Sequence, residues 1–567
     1  MRLKFLMLGA ASAALMAPVA HAERGSDGQL NIIMWQAPST MNIYLSGGTK
    51  ELIASSAVLE PLAGSMPDGT LFPRLASEIP TLENGGIAED LKSVTWKLRE
   101  GVKWSDGTPF TADDVVFSAQ YCMDPTGGCA QLAKFEGVEK VEAVDPLTVK
   151  ISFAAPQPDP YSAFVGSQAP VIQKAQFEAC IGEKAPTCTE QNFGPIGTGP
   201  FKVTSFKTND VITFEANPEY RDASKPAFAS LTMKGGGDAA AAARSVLETG
   251  EFDYAWNTQL APDVISGMEA AGKGKVQAAF GSLVERIHVN LTNASSDLPE
   301  GERSTTAHPH PFLTDIAVRK ALSMAIDRAL LVEIGYGPAG QPTCNYVPAP
   351  AAWASDNTDC LQQDIEGAKK LLDEAGWTVG GDGIREKDGQ RLSLLYQTSV
   401  NAVRQDFQAL IKQWWQEIGV ETELKTVDAS VFFGGDAGSP DTFQKFYADV
   451  EMYANNFEGG NPAPYLAKFT CDKAPGPDNQ WQGENVSRYC DPEFDKLVAQ
   501  MATIVDPAER GKLGQKLNEM LTKESYAIIP LVYRGTASAV SNTLGNVQIN
   551  GWDSELWNVA DWTRTAQ

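Results

Sequence analysis

One stretch constrains this chain more than any other: Trp96 to Ser118, WKLREGVKWSDGTPFTADDVVFS. Trp96, Leu98 and Val102 recur with strand-like alternation and lead into a turn at Ser105-Asp106-Gly107, where glycine supplies a positive φ and aspartate bonds the following backbone. Thr111 reads as a helix N-cap, because Asp113 and Asp114 then fall in the first turn, beside the positive end of the helix dipole. The stretch dictates a strand, a tight turn and a capped helix in immediate succession.

The N-terminus has the layout of a secretory leader: Arg2 and Lys4, an apolar run from Phe5 to about Val19, then the small-x-small site Ala20-His21-Ala22. The run is short of the ~20 residues that a membrane span needs. No cysteine follows the expected cut, and no other stretch is apolar enough to cross a bilayer. The expectation is a freely soluble exported protein with residues 1–22 removed. The formal charge of −25 makes nucleic acid or an anionic membrane face a poor partner. At 567 residues, with roughly 100–200 residues per domain, the chain should form about three domains.

Eight cysteines fall into four near-neighbour pairs, and export places them in an oxidising compartment. The expected bridges are Cys122 to Cys129, Cys180 to Cys188, Cys344 to Cys360 and Cys471 to Cys490. Metal ligation is the alternative, but no CxxC spacing supports it.

Leu30 to Trp35 reads as a buried strand, and Gln36 to Thr40 as a loop at its carboxyl edge, where open α/β sheets place ligands. Gln36 and Ser39 are binding candidates on that ground. Lys50 to Pro61 has helical periodicity. From Leu231 the pattern is strand, glycine turn, small-residue helix, Gly250 and strand, which is one βαβ crossover ending at Trp256 and Asn257, again a carboxyl edge. Further helices are expected over 316–326, 365–375, 406–418, 492–505 and 510–523, with a strand over 528–533. Arg404 opens a helix after the strand Leu392 to Gln397 and offers a bidentate fork to a carboxylate. Ile196 to Phe201 (IGTGPF) fits neither nucleotide fingerprint and is a tight turn.

Catalytic signatures are missing: there is no G-x-S-x-G elbow, H-E-x-x-H helix or phosphate loop. Past the leader the histidines are His288, His308 and His310, and His308-Pro309-His310 reads as a solvated loop rather than a metal site. No cofactor is expected.

As a pattern, Trp96 to Ser118 closely resembles the signature of family 5 extracytoplasmic solute-binding proteins, the receptors of peptide-type ABC importers. Leu71 to Ala76, the GTGPF turn, Pro311 to Leu322 and Ile528 to Tyr533 resemble further landmarks of that family, in the same order. The resemblance implies a type II periplasmic binding protein fold: an α/β architecture of two lobes around a cleft, plus the extra lobe of the family 5 (cluster C) type. It implies a discontinuous lobe I of residues 23–70, 195–300 and 530–567, a lobe II of 71–194 and a lobe III of 301–529. Trp552, Trp557 and Trp562 should close lobe I.

The implied role is a monomeric periplasmic receptor that captures a small-molecule ligand, a short peptide or peptide-like solute, and hands it to an ABC permease in the inner membrane. Val450 to Phe469 resembles the family's W-x-A-D-Y-x-D-P cleft segment, which adds Tyr453, Asn455, Asn456 and Phe457 to the candidates. In peptide-binding members the acid of that segment pairs with the ligand's α-ammonium. Here Asn455 stands in its place, and an amide supplies no counter-charge to a buried ammonium. Glu458 is a neighbouring source of that charge. An oligosaccharide or opine-like conjugate is the alternative solute, and a secreted hydrolase the alternative from another class.

Overall fold

The structure, a computed structural model, describes residues 23–434, 438–457 and 459–565. The expected leader and Glu458 lie outside the described residues. Two large mixed sheets and a smaller one organise the fold. The first sheet has seven strands, in the order Gly274–Ala279, Thr536–Ser541, Tyr254–Ala255, Gln29–Met34, Ser230–Gly235, Val211–Ala216 and Phe201–Lys207. Gln29–Met34 runs parallel to both Ser230–Gly235 and Tyr254–Ala255, as a βαβ crossover requires. The connecting helix Ala239–Leu247 is capped by Asp238, whose side chain accepts from Ala241 N, and Gly250 takes φ +70° just beyond its end.

The second sheet has six strands, in the order Gly340–Pro342, Ile528–Arg534, Val284–Val289, Val450–Asn455, Ser393–Ser399 and Glu421–Val427. One face buries Ile287, Val289, Leu394, Tyr396, Val450 and Met452 against the helices Ile316–Met324 and Ala402–Glu417. Trp414 and Trp415 belong to that core. Strand Val284–Val289 pairs here, so the chain passes from the first sheet to the second between Ala279 and Val284 and returns at Gly535. The boundaries expected from the sequence lay at 300 and 530.

Trp96 to Ser118 lies at the centre of the third unit. Strand Ser93–Lys97 pairs with Thr148–Phe153, which pairs with Val138–Asp145. Gly107 turns at φ +87°, and helix Ala112–Met123 starts with a reciprocal capping box between Thr111 and Asp114. Trp96 and Trp104, both essentially inaccessible, sit in its core with Val115, Val149 and Ile151. All four expected disulfides form, and no cysteine is free among the described residues.

Three expectations change. The helix from Lys50 covers only Thr49–Ser55, because the carbonyls of Ala57 and Val58 are taken by Phe201 N and Gly199 N. That approach is so close that a Cβ on Gly197 would lie 1.9 Å from the Val58 oxygen, so GTGPF is a packing turn. Of the three C-terminal tryptophans, Trp562 alone enters the first sheet's core, while Trp552 packs on Phe457 and Trp557 on Phe72. The indoles therefore fasten neighbouring units to one another. The histidine loop is not uniformly solvated: His308 bonds Glu302 near the surface, but His310 is buried, with Nε2 on Asp449 and Nδ1 accepting from Leu313 N.

Candidate ligand site between the sheets

The strand directions bring one edge of each large sheet together. On the first sheet, the carboxyl ends of the parallel strands reach Trp35, Gly235 and Trp256, next to Ala279 and Thr536. On the second, the parallel strands end at Ser399, Val427 and Asn455, next to Val284 and Arg534. The two crossings, 280–283 and Gly535, join these edges directly. Ligands of open α/β sheets lie beyond such edges.

Contacts close the seam from both sides. Ser282 Oγ donates to Phe457 O at 2.7 Å and accepts from Phe457 N at 2.9 Å, tying the end of strand Val450–Asn455 to a crossing segment. Gln259, two residues past Asn257, lies against Asn401, the N-cap of helix Ala402–Glu417. With its amide oxygen turned to Arg534, Gln259 accepts from Nη2 of that residue at 2.9 Å.

Beneath the seam lies a cluster of buried charge. Glu285, fully inaccessible, accepts from Arg404 Nη2 at 2.8 Å, Arg404 Nε at 3.1 Å and Tyr336 OH at 3.0 Å. Arg534 Nε lies 3.2 Å from the same carboxylate, without hydrogen-bond alignment. Burial pushes the Glu285 carboxyl up, but Arg404 and Arg534 outweigh it and hold the group below the usual carboxylate range. On the first-sheet side, Glu555 is buried and accepts from Ser538 and Tyr254, and burial raises its carboxyl.

The opposite face of the second sheet carries Arg286, His288, Glu451 and Tyr453, brought side by side by strand register. The His288 ring stacks on Tyr453 at 4.8 Å, and burial together with Arg286 keeps it neutral, far below its ordinary value. Its Nε2 therefore accepts from Arg286 Nε at 3.1 Å, leaving the proton on Nδ1, 3.3 Å from Ser487 Oγ. No group of three or more histidine, cysteine or carboxylate side chains placed to hold a metal occurs among the described residues.

Residues 70–475 match the model of the bacterial extracellular solute-binding proteins, family 5. The chain belongs to that family.

Similarity to individual members is more distant. Protein XP55 of Streptomyces lividans is 28% identical over 390 residues, which is 68% of this chain and 65% of that protein, just under two thirds of its length. The glutathione-binding protein GsiB of Escherichia coli K12 is 25% identical over 465 residues, 82% of this chain and 81% of the relative. The solved oligopeptide-binding protein AppA of Bacillus subtilis, in complex with a nonapeptide, superposes with a TM-score of 0.78 at 21% identity, covering 96% of this chain and all of that one. The fold of this solute-binding protein is accordingly the type II periplasmic binding fold with the additional lobe.

The residues singled out from the sequence of this family 5 protein separate into three groups. Gln36, Trp256 and Asn257 stand at the first-sheet edge: Trp35 Nε1 donates to Asn257 O, Ser538 Oγ accepts from Asn257 N, and Trp256 is 3% exposed with its indole on Glu555. Tyr453, Asn455, Asn456 and Phe457 line the second-sheet edge. Tyr453 is buried between His288 and the rings of Phe432, Phe433 and Phe443, while Asn455 and Asn456 are half-buried. Phe457 is fixed by Ser282 and the Tyr465 and Trp552 rings. Two residues face elsewhere: Ser39 donates to Glu51 through both its N and Oγ, and the Arg404 guanidinium is committed to Glu285 and Ser399 Oγ.

Glu285, Arg286, Gln259, Asn401 and Arg534 escaped sequence reasoning. The signal for the first two was present: adjacent charges inside Val284–Val289, a strand buried along its whole length.

Proposed function

We propose that this protein is the receptor of an ABC importer, taking up a short peptide or peptide-like solute in the seam between the two sheets and releasing it to an inner-membrane permease. The observation that carries the reading is the convergence of both carboxyl edges at two chain crossings. Two bodies connected along the chain by short crossings can hinge, and closing them over a solute needs no covalent chemistry. Trp35, Asn257 and Gln259 approach from one side, and Asn401, Asn455 and Asn456 from the other. These groups supply the few polar anchors and apolar cover that a solute site needs. Similarity to a glutathione-binding protein and to an oligopeptide-binding fold supports a peptide-like solute. The chain is expected to work as a soluble periplasmic monomer after loss of residues 1–22, and to make or break no bond.

Native mass spectrometry of the mature protein from its own host tests this directly. A co-purified small solute, with a saturable thermal shift when it is added back and no product formed, is the expected result. A turnover product, with loss of turnover on replacing one carboxylate or serine, would establish the hydrolase reading instead.

A further inference from the structure

Asn257 holds a left-handed backbone conformation, φ +56°, just past the carboxyl end of strand Tyr254–Ala255. Asparagine tolerates that region without imposing it, so the turn depends on what grips it. Two hydrogen bonds do so: Asn257 N donates to Ser538 Oγ at 3.0 Å, and Asn257 O accepts from Trp35 Nε1 at 2.9 Å. The Asn257 side-chain amide lies 3.2 Å from that of Gln259, which reaches Arg534 and Asn401 on the other body. The turn thereby carries the Asn257 side chain to the seam.

Glu555 stands behind the Ser538 contact. It is 3% exposed, and no lysine, arginine or histidine nitrogen lies within 4 Å of its carboxyl among the described residues. The carboxyl accepts from Ser538 Oγ at 2.5 Å, from Tyr254 OH and from the Trp256 indole. Three donors call for an acceptor-only carboxylate, and Ser538, having given its one proton to Glu555, turns a lone pair to the Asn257 amide. Burying a carboxylate away from any cation is costly. What the charge adds is a set of strong hydrogen bonds on residues that shape the first-sheet edge. The segment carrying Glu555 is itself pinned at the crossing, where a Cβ on Gly281 would lie 1.9 Å from Gly551 O.

We propose that Glu555 is a positioning residue of the solute site: through Ser538 it holds Asn257 in the left-handed turn that presents the Asn257 amide to the solute. This rests on the receptor reading above and deepens it. Glu555 does not touch the solute; Asn257 does, as a neutral donor and acceptor. The next residue reinforces the arrangement. Thr258 N donates to Ala537 O at 2.7 Å, and its Oγ1 accepts from Ala539 N at 3.1 Å. The edge segment therefore rides on strand Thr536–Ser541, which begins one residue past the crossing at Gly535, so the first-sheet edge of the site and the crossing move as one piece.

The test is a double-mutant cycle on affinity, measured by calorimetry on the full mature chain with trialanine and with any solute that co-purifies. Asn257→Gly keeps the left-handed turn but removes the amide, and should weaken binding about fivefold, the scale of one hydrogen bond. Ser538→Ala, which cuts the link and leaves the Tyr254 and Trp256 bonds to Glu555 in place, should weaken binding by a similar factor, as should Glu555→Gln. Because both act through Asn257, each should weaken binding by less than about twofold further in the Asn257→Gly background. A residue that merely holds the fold together would lower affinity by the same factor in both backgrounds, and that result would overturn the assignment. Unchanged affinity in Ser538→Ala and Glu555→Gln would overturn it too, with the receptor reading left standing. Should Glu555→Gln fail to fold, Ser538→Ala decides alone. If the wild type binds neither trialanine nor a co-purified solute, the receptor reading itself falls, and this assignment with it.

Discussion

Glu285→Gln is the sharpest probe of the buried charge at the seam. The substitution keeps the shape and one acceptor oxygen but removes the one carboxylate that, among the described residues, lies within 4 Å of Arg404 and Arg534. At an effective dielectric of about 20, each opposite-charge pair near 4 Å is worth about 4 kcal/mol before desolvation is subtracted. Desolvating a carboxylate costs several kcal/mol, so the intact cluster itself is worth little net. Breaking it is a different matter, because two buried guanidinium groups are left facing each other. The expected loss is about 3–5 kcal/mol. Urea unfolding followed by tryptophan fluorescence measures it. The double variant Glu285→Gln/Arg404→Met should recover part of the loss, with a coupling of about 1–3 kcal/mol.

The pH dependence has a fixed sign. The folded-state Glu285 carboxyl lies below its unfolded value of about 4.3. Its contribution is therefore complete above about pH 4.3 and is lost as the pH falls through the lower folded value. Glu285→Gln should flatten that part of the acid limb. A loss below about 1 kcal/mol, or an acid limb identical to wild type, would refute the claim that this carboxylate holds both arginines.

Other positions give independent tests. Asn455→Asp should raise the affinity of a peptide with a free α-ammonium about tenfold over its N-acetyl form, if the amine approaches that position; calorimetry showing lower affinity would place the amine elsewhere. Opening the loop closed by Cys471 and Cys490, as Cys471→Ser/Cys490→Ser, should cost about 3 kcal/mol in denaturant unfolding, and peptide mapping without reductant should recover all four bridges intact in the wild type. Thr111→Ala removes half of the capping box on Ala112–Met123 and should cost about 1 kcal/mol, read as a lowered melting temperature.

Local physics made much of the architecture readable in advance. The capping box at Thr111, the φ of Gly107 and the crossover around Ala239–Leu247 depend on neighbours in sequence, and each formed where expected. The same holds for the short-loop disulfides, whose partners are close along the chain. Errors arose where a distant segment intervened. The helix beginning at Thr49 stops early because Gly199 and Phe201 claim its next carbonyls, and Trp552 leaves its own unit because Phe457 lies beside it.

At the candidate site the sequence by itself determined the two edges. Apolar strands followed by polar loops pointed to Gln36, Trp256 and Asn257 on one side, and the resemblance of Val450 to Phe469 to the family's cleft segment pointed to Tyr453, Asn455, Asn456 and Phe457 on the other. It could not decide how charge is distributed between them. Arg404 has the chemistry to meet a carboxylate, but strand pairing and helix packing set Glu285 within 2.8 Å of it and left Arg286 with aromatic faces and carbonyls instead. Whether an arginine meets a carboxylate inside the protein is settled by residues far away in sequence, because Coulomb energy depends on separation in space and desolvation on what covers the group. Only the folded chain fixes either.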